Sequence, residues 1–431
     1  MTRHSPFPAN YLRSRAIQGP WRIDGEVGSG FAGAVVIPAL AESANLFATL
    51  HSLAANPPQV LARVLVLVVV NHREDASTGD KADNLLTLKQ LAAGLRELAP
   101  LRLAWVDAAS PGRELPAKGG GVGLARKIGL DLALARLDFT GQNPLLISLD
   151  ADTLVEPSYL PVVTRHFREN DRGGAVIPFC HRPAASPEEQ EAIDRYELFL
   201  RHYVFGLALA SSPYAFHTVG SAMACTSSAY VRAGGMNTRC AGEDFYFLQQ
   251  LHRTSGVDRV AGTMVFPSPR PSHRVPFGTG RTITRAMTDG VATVSFYHPE
   301  CFHILGQWLS LAKGCTGVAG TELLDKARGI SPLLADYLSA VNFPAVWQRL
   351  QRHSKGCEAF RKAFHDWFDA FKTLKLIHHL SVAPYPRCEP EDSIPPLLLQ
   401  AGEEPVAGTQ QQLALLRRQQ NAALPSSLVS P

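Results

Sequence analysis

"LISLDADTLVEPSYL", Leu146 to Leu160, decides how the rest of the chain is read. An apolar run, Leu145-Leu146-Ile147, ends in two aspartates one residue apart, Asp150 and Asp152. Beyond them "EPSYL" has the form of a helix start, with Pro157 in the first turn. One aspartate at such a place is ordinary, as a turn residue or an N-cap. Two acids at i and i+2 repel each other unless a cation sits near them. Strand-end pairs of this kind suit a hard, oxygen-seeking cation such as Mg²⁺ or Mn²⁺. D-x-D also arises by chance, so its surroundings must choose between turn chemistry and a metal grip.

Upstream, "FAGAVVIPAL" from Phe31, "VLVLVVV" from Val64 and "LRLAWVD" from Leu101 read as strands, and "PLLISLD" from Pro144 as a fourth. Amphipathic stretches lie between them. "DKADNLLTLKQLAAGLREL" places Leu85, Leu88, Leu91, Ala92, Leu95 and Leu98 at helical spacing, with Asp80 or Asp83 as cap. "GVGLARKIGLDLALARL" is a helix entered through Gly119-Gly120-Gly121. Apolar strands alternating with helices predict an α/β fold, a mostly parallel sheet sandwiched by helices. Ligands bind such sheets at the carboxyl ends of strands. Asp150 and Asp152 stand at one such end, and Glu42, Asn71 and Asp107 follow the other three.

Downstream, "PEEQEAIDRYELFLRHYVFGLALA" predicts a long helix from Pro187, and "AGEDFYFLQQLHRT" a helix opened by acids. "EAFRKAFHDWFDAFKTLKLIHHL" puts Phe360, Phe364, Trp367, Phe368, Phe371, Leu374 and Ile377 on one stripe, that of a packed helix. The expected organisation is an N-terminal extension over 1–30, a sheet domain over 31–290, a C-terminal helical appendage over 291–400 and a flexible tail over 401–431.

Bulk properties narrow the function. Lys+Arg 42 against Asp+Glu 38, a net charge of +4, lacks the concentrated basic stripe of a nucleic-acid binder. The 7 cysteines are scattered without a C-x-x-C pair, which predicts buried free thiols in a reducing compartment. "MTRHSPFPANYLRSR" has no apolar core of a signal peptide. The run at Val64 to Val70 is far too short to span a bilayer. The expectation is a soluble cytoplasmic protein, with peripheral membrane contact left open.

The order of elements is more specific than any one of them. "VVIPALAES" leads, "KGGGVGLARKIGLDLAL" follows, then "SLDADT", and some way on "AGGMNTRCAGEDF". Together they resemble the family two glycosyltransferases of the GT-A fold, over roughly residues 30–290. The residues that carry the resemblance are Val35-Val36-Ile37-Pro38-Ala39 with Glu42, then Gly123, Ala125, Arg126, Gly129 and Ala133. Asp150-Ala151-Asp152 and Gly234-Gly235-Met236 with Glu243-Asp244 complete the set. It also looks like a bacterial soluble subgroup of that family with no assigned acceptor.

The resemblance implies a metal-dependent, inverting transfer of a sugar from a nucleotide-sugar donor to a hydroxyl. Asp150 and Asp152 would hold Mn²⁺ or Mg²⁺, and Asp244, beside Glu243, would be the general base. Pro38, Ala39, Glu42, Asn71, Lys118, Arg126, Asp150 and Arg274 would line the nucleotide. Backbone N–H groups at the glycine-rich helix start suit phosphates, though a flexible loop is the alternative. His273, in the basic segment "SPRPSHRVPFGTGR", is a third metal ligand or simply a surface histidine. His217 lines an acceptor pocket or is a satisfied core histidine. Asn71 stands where the family usually has an aspartate against the base, which leaves the base unassigned. The acceptor could be a glycan, lipid-linked or a small molecule. Two other readings compete. A nucleotidyltransferase that makes nucleotide sugars would carry glycines just after the first strand, where "IPALAESANLF" has none. The other is a degenerate transferase serving as a scaffold.

Overall fold

The structure is a computed structural model that describes residues 8–26, 28–94, 96–271, 278–314 and 317–421. The chain divides into two compact units. One comprises Met1–Gln190, Thr218–Thr284 and Asn421–Ala423, the other Glu191–His217, Arg285–Gln420 and Leu424–Pro431.

In the first unit β1 is Ile23–Gly25, β2 Gly33–Ala39, β3 Val64–Asn71, β4 Arg102–Ala108 and β5 Leu145–Ser148. They are followed by β6 Leu154–Val155, β7 Gly174–Val176, β8 Met223–Thr226, β9 Val257–Arg259 and β10 Val265–Phe266. Every residue of β2, β3 and β5 is buried. That is why these strands read as unbroken apolar runs: strands covered on both faces have no side on which to place polar residues.

The main sheet runs β1-β4-β3-β2-β5-β8-β7-β9, and β10 pairs with β6 apart from it. The central strands β4, β3, β2 and β5 are parallel, as the sequence predicts. β1 on β4, and β8 between β5 and β7, run antiparallel. This is a mixed α/β architecture with a parallel heart, and its strand order fits a GT-A-like fold.

The topology locates the rim where a ligand fits. From β2 the chain winds outward through β3 to β4, then returns to lay β5 on the other side of β2. Opposite winding on either side opens a crevice at the carboxyl ends of β2 and β5. Glu42 follows β2, and Asp150 and Asp152 follow β5. β5 ends early, with Ser148 opposite Val36, and its line is continued by Leu149, whose N–H donates to the Val36 carbonyl at 3.1 Å.

Several local expectations are revised. The helix after β3 spans Thr78–Ala93, and its N-cap is Ser77, whose Oγ accepts from the Asp80 N–H. Its buried face carries Asn84, Thr87 and Leu91, while Leu85 is 50% exposed. The leucine spacing misleads because this helix turns a polar face towards loop backbone that needs hydrogen bonds. Residues 8–26 are tied in: β1 pairs with β4, and Asp131 accepts from the Tyr11 hydroxyl at 2.8 Å and the Ile17 N–H at 2.8 Å.

The second unit is helical. Its core gathers Trp308, Phe343, Trp347, Phe364 and Phe368 with Leu198, Phe205 and Phe302. Residues 191–217, most of the long helix Pro187–Leu209 among them, belong here because that helix buries Leu198, Phe205 and Leu207 in the same cluster. The aromatic stripe is two helices, Cys357–Trp367 and Ala370–Leu380, parted where Asp369 caps the second by accepting from the Lys372 N–H at 2.9 Å. Within the expected tail, Thr409–Asn421 is a helix whose Leu413 and Leu416 enter the core. Its Arg417 forks onto buried Glu197 at 2.7 and 2.8 Å. Of the six described cysteines Cys225 and Cys301 are buried, but Cys240 and Cys357 are exposed. No described helix is long and apolar enough to cross a membrane.

Candidate active site

The site is built around a helix that lies unusually close to the sheet. Helix Val122–Leu134 crosses β2 and β3 at Gly129, where a Cβ would stand 2.3 Å from Val36 Cγ1 and 2.8 Å from Val69 Cγ2. At its start, a Cβ on Gly123 would lie 2.3 Å from the Arg239 carbonyl oxygen, and the Gly123 N–H donates to that oxygen at 3.2 Å. The glycine-rich entry therefore serves close approach of the 237–240 backbone. One of the helix-start N–H groups, that of Gly123, is thus given to a peptide carbonyl, and Lys118 before the helix is exposed.

That approach sets Arg126 beneath the rim. Only 3% exposed, Arg126 donates from Nε to Glu243 Oε1 at 3.0 Å and from Nη2 to Asp150 Oδ1 at 2.7 Å. Its Nη1 donates to Ser148 Oγ at 2.7 Å and to the Gly220 carbonyl at 3.2 Å. One fixed cation thus joins the acid after β5 to the acid that opens helix Glu243–Ser255. A lysine could not do this, because it lacks the planar fork. Expected to face a ligand's phosphates, Arg126 is instead turned inward on protein acceptors.

Asp244 is the next residue of that helix, and its Oδ1 accepts from the Phe245 N–H at 2.7 Å. Burial and the neighbouring Glu243 carboxylate push its carboxyl up to about 7, against the pull of Arg126. A carboxylate raised this far is a stronger base than an ordinary aspartate, at a pH where it is still partly ionised.

Asp152 faces a second cation. Arg270 donates to Asp152 Oδ2 from Nε and from Nη2, each at 3.1 Å, and its Nη2 also donates to Glu42 Oε1. Glu42 is positioned from its own loop by Asn45 Nδ2 at 3.1 Å, and the Asp152 carbonyl by Arg182 Nη2 at 3.1 Å. Pro38 and Ala39, the last residues of β2, are buried beneath that loop.

Asn71 ends β3 and spends both amide hydrogens on backbone, donating to the Ala39 carbonyl at 3.3 Å and the Val69 carbonyl at 3.0 Å. It works as a brace between strand ends, with no hydrogen left for a base edge. Buried Asn84 completes the brace: it accepts from the Ala41 N–H, donates to the Asn71 carbonyl at 2.9 Å and lies 3.0 Å from His72 Nδ1. Asp107 is a turn acid, its Oδ1 accepting from the Ala109 and Ser110 N–H groups. His217, in the helical unit, is hydrogen-bonded through Nε2 to Gln420 Oε1 at 2.9 Å. His273 and Arg274 lie outside the described residues.

The donor set fits a divalent cation in part. Two carboxylates, Glu42 and Asp152, already converge on one positively charged nitrogen, Arg270 Nη2, and hard oxygens are what Mg²⁺ or Mn²⁺ takes. Among the described residues no three His, Cys, Asp or Glu come together closely enough to hold a metal alone. A cation at Asp152 would need oxygens beyond those that Glu42 and Asp152 supply. Sequence reading missed Arg270 and Asn84 as organising residues. The polar Asn84-x-x-Thr87 spacing on an otherwise leucine-rich helix was the available signal for the second.

No family model and no curated protein matches this chain. Among solved structures it is similar to S. aureus TarS 1-349 in complex with UDP-GlcNAc, at 11% identity and a TM-score of 0.38, over 78% of this chain and 90% of that one. It is also similar to the mannosyltransferase PcManGT from Pyrobaculum calidifontis in complex with GDP-Man and Mn²⁺. There the identity is 14% and the TM-score 0.35, over 84% of this chain and 94% of that one. These overlaps are loose.

Proposed function

We propose that this chain is a nucleotide-sugar-dependent glycosyltransferase that works with inversion, with Asp244 as general base. The observation that carries the reading is the Arg126 junction. A buried guanidinium holds the strand-tip acid Asp150 and the helix-start acid Glu243 at 2.7 and 3.0 Å, next to a carboxyl raised to about 7. Buried carboxylates and arginines are costly to assemble unless paired, and their gathering at the β2/β5 crevice is the pattern of a working site.

In this reading the acceptor hydroxyl gives its proton to the Asp244 carboxylate as its oxygen bonds to the anomeric carbon. The bond from that carbon to the diphosphate oxygen breaks, and its electron pair leaves with the nucleoside diphosphate. A single displacement with a single base inverts the anomeric centre. Proton abstraction of this kind contributes about 10²–10⁴ in rate. A divalent cation bound at Asp150 and Asp152 would supply charge neutralisation on the leaving diphosphate. Arg126 fixes Asp150 and Glu243, so that neither has to reorganise when the donor arrives. Asn71 and Asn84 keep the strand ends together beneath the nucleotide. The acceptor class we assign is a hydroxyl on a glycan, a lipid-linked sugar or a small molecule.

The test is a panel of nucleotide sugars incubated with wild-type protein and Asp244→Asn, with release of nucleoside diphosphate measured and water as the default acceptor. Slow release from one donor, lost in Asp244→Asn, is expected. No release from any donor, with and without Mn²⁺, contradicts the reading.

A further inference from the structure

The geometry points to a second ligand site, in the helical unit: a cleft between helices Pro299–Gly314 and Cys357–Trp367 that takes a small amphipathic anion, an apolar body with a carboxylate or phosphate head. The cleft lies wholly within that unit, and the inference does not rest on the transferase reading.

The cleft holds about 350 Å³, at the small end of the roughly 300–1,000 Å³ of ligand sites. The first helix brings Leu309 and Ala312 to it, the second Phe360 and Phe364. These positions recur every three or four residues, so each helix gives the cleft one stripe. All four belong to the buried core of the unit, which makes the floor apolar and firmly packed. An apolar body fits such a floor better than water does.

The charged groups around this floor favour one sign. Arg361 and Lys313 line the cleft, with Glu358 as the acid among them. Asp366, one residue beyond His365, is engaged by Lys362 Nζ at 2.8 Å. This balance attracts an anion and disfavours an ammonium.

His365 adds a directed donor to the same lining. Its backbone is fixed by the Tyr214 hydroxyl, which donates to its carbonyl at 2.7 Å. Burial, and then the charge of Arg361, bring its imidazole down to about 4, against the opposite pull of Asp366. The ring is therefore neutral at neutral pH and carries one proton. Its Nδ1 is buried with no hydrogen-bond partner among the described residues. A buried donor without an acceptor is the rarer defect, so the proton belongs on Nε2. The ring then offers an N–H, which complements an oxyanion as the Arg361 fork does.

Cys357, exposed and part of the lining, reports whether the cleft is filled, and Cys240, exposed in the sheet unit, is the internal control. Alkylation of each thiol by iodoacetamide is timed on the full chain by peptide mass spectrometry, without ligand and with octanoate, octyl phosphate, octanol or octylammonium. Calorimetry measures the binding of each in parallel. The variants are Arg361→Gln, Arg361→Glu and His365→Phe, with melting temperatures to confirm folding, and the two Arg361 variants decide if His365→Phe does not fold. One or both octyl anions should bind and slow Cys357 but not Cys240, and the more protective of the two names the head group. Octanol and octylammonium should protect neither thiol. Arg361→Gln should weaken the anion about tenfold, as loss of a charge-assisted hydrogen bond does, and Arg361→Glu should weaken it further. His365→Phe should weaken it while leaving the preference for an anion. Equal protection by octanol overturns the inference, since the cleft would then be only an apolar hollow. Binding that leaves Cys357 unslowed lies elsewhere and overturns it too, as does absence of binding, or protection undiminished in both Arg361 variants.

Discussion

Replacing Arg126 by Met tests the junction on which the site is built. The side chains of Arg126 and Glu243 are 4% and 5% exposed, so the substitution leaves a carboxylate buried without its cation. Breaking a buried pair from one side costs about 3–5 kcal/mol, most of it the penalty of the stranded charge. Glu243→Gln in the same protein removes that charge. The two changes are therefore non-additive, with a coupling of about 1–3 kcal/mol. Urea unfolding followed by circular dichroism, on wild type, both single variants and the double variant, measures all four corners of the cycle. The double variant should be more stable than Arg126→Met alone yet remain inactive, since Asp150 is still unheld. A loss below about 1 kcal/mol for Arg126→Met, or a coupling near zero, would refute the claim that this ion pair organises the site.

Four further outcomes follow from the geometry. Because the general base must be ionised and Asp244 sits up at about 7, transfer should rise with pH through the neutral range and flatten above it. Asp244→Asn should abolish that activity while leaving nucleotide affinity within about a few-fold, and a rate independent of pH across this range would contradict the assignment. Gly129→Val forces a Cβ to within 2.3 Å of Val36 Cγ1, and should cost at least about 1–3 kcal/mol by unfolding measurements, with the loss of activity that follows when Arg126 is lifted from its partners. Asp369→Ala removes the cap on Ala370–Leu380 in the helical unit and should cost about 1 kcal/mol without changing nucleotide binding, the control against which site variants are judged.

Much of the fold was legible because it depends on local pattern. Val64 to Val70 read as a buried strand and Asp150 and Asp152 as acids following a strand, and the structure places both so. What the pattern could not carry is which long-range partner each polar residue takes. Arg270 meets Asp152 across 118 positions, and Arg126 meets Glu243 across 117. Nothing in "GLARKIG" says that the arginine turns inward rather than towards phosphate. The glycine run Gly119-Gly120-Gly121 read as a phosphate cradle or a flexible loop, whereas within the helix Gly123 and Gly129 are small because the 237–240 backbone and Val36 press against them. The Gln-rich stretch after Thr409 looked like a loose tail by composition. There Leu413 and Leu416 enter the helical core and Arg417 pairs with Glu197.

The most direct test of the account is calorimetric titration of nucleoside diphosphates into the protein with and without Mn²⁺, for wild type and Asp152→Ala. The account predicts one nucleotide whose binding strengthens with Mn²⁺, and a loss of that metal dependence in Asp152→Ala. Absence of binding by every nucleoside diphosphate, or binding unaltered by both Mn²⁺ and the substitution, would contradict it.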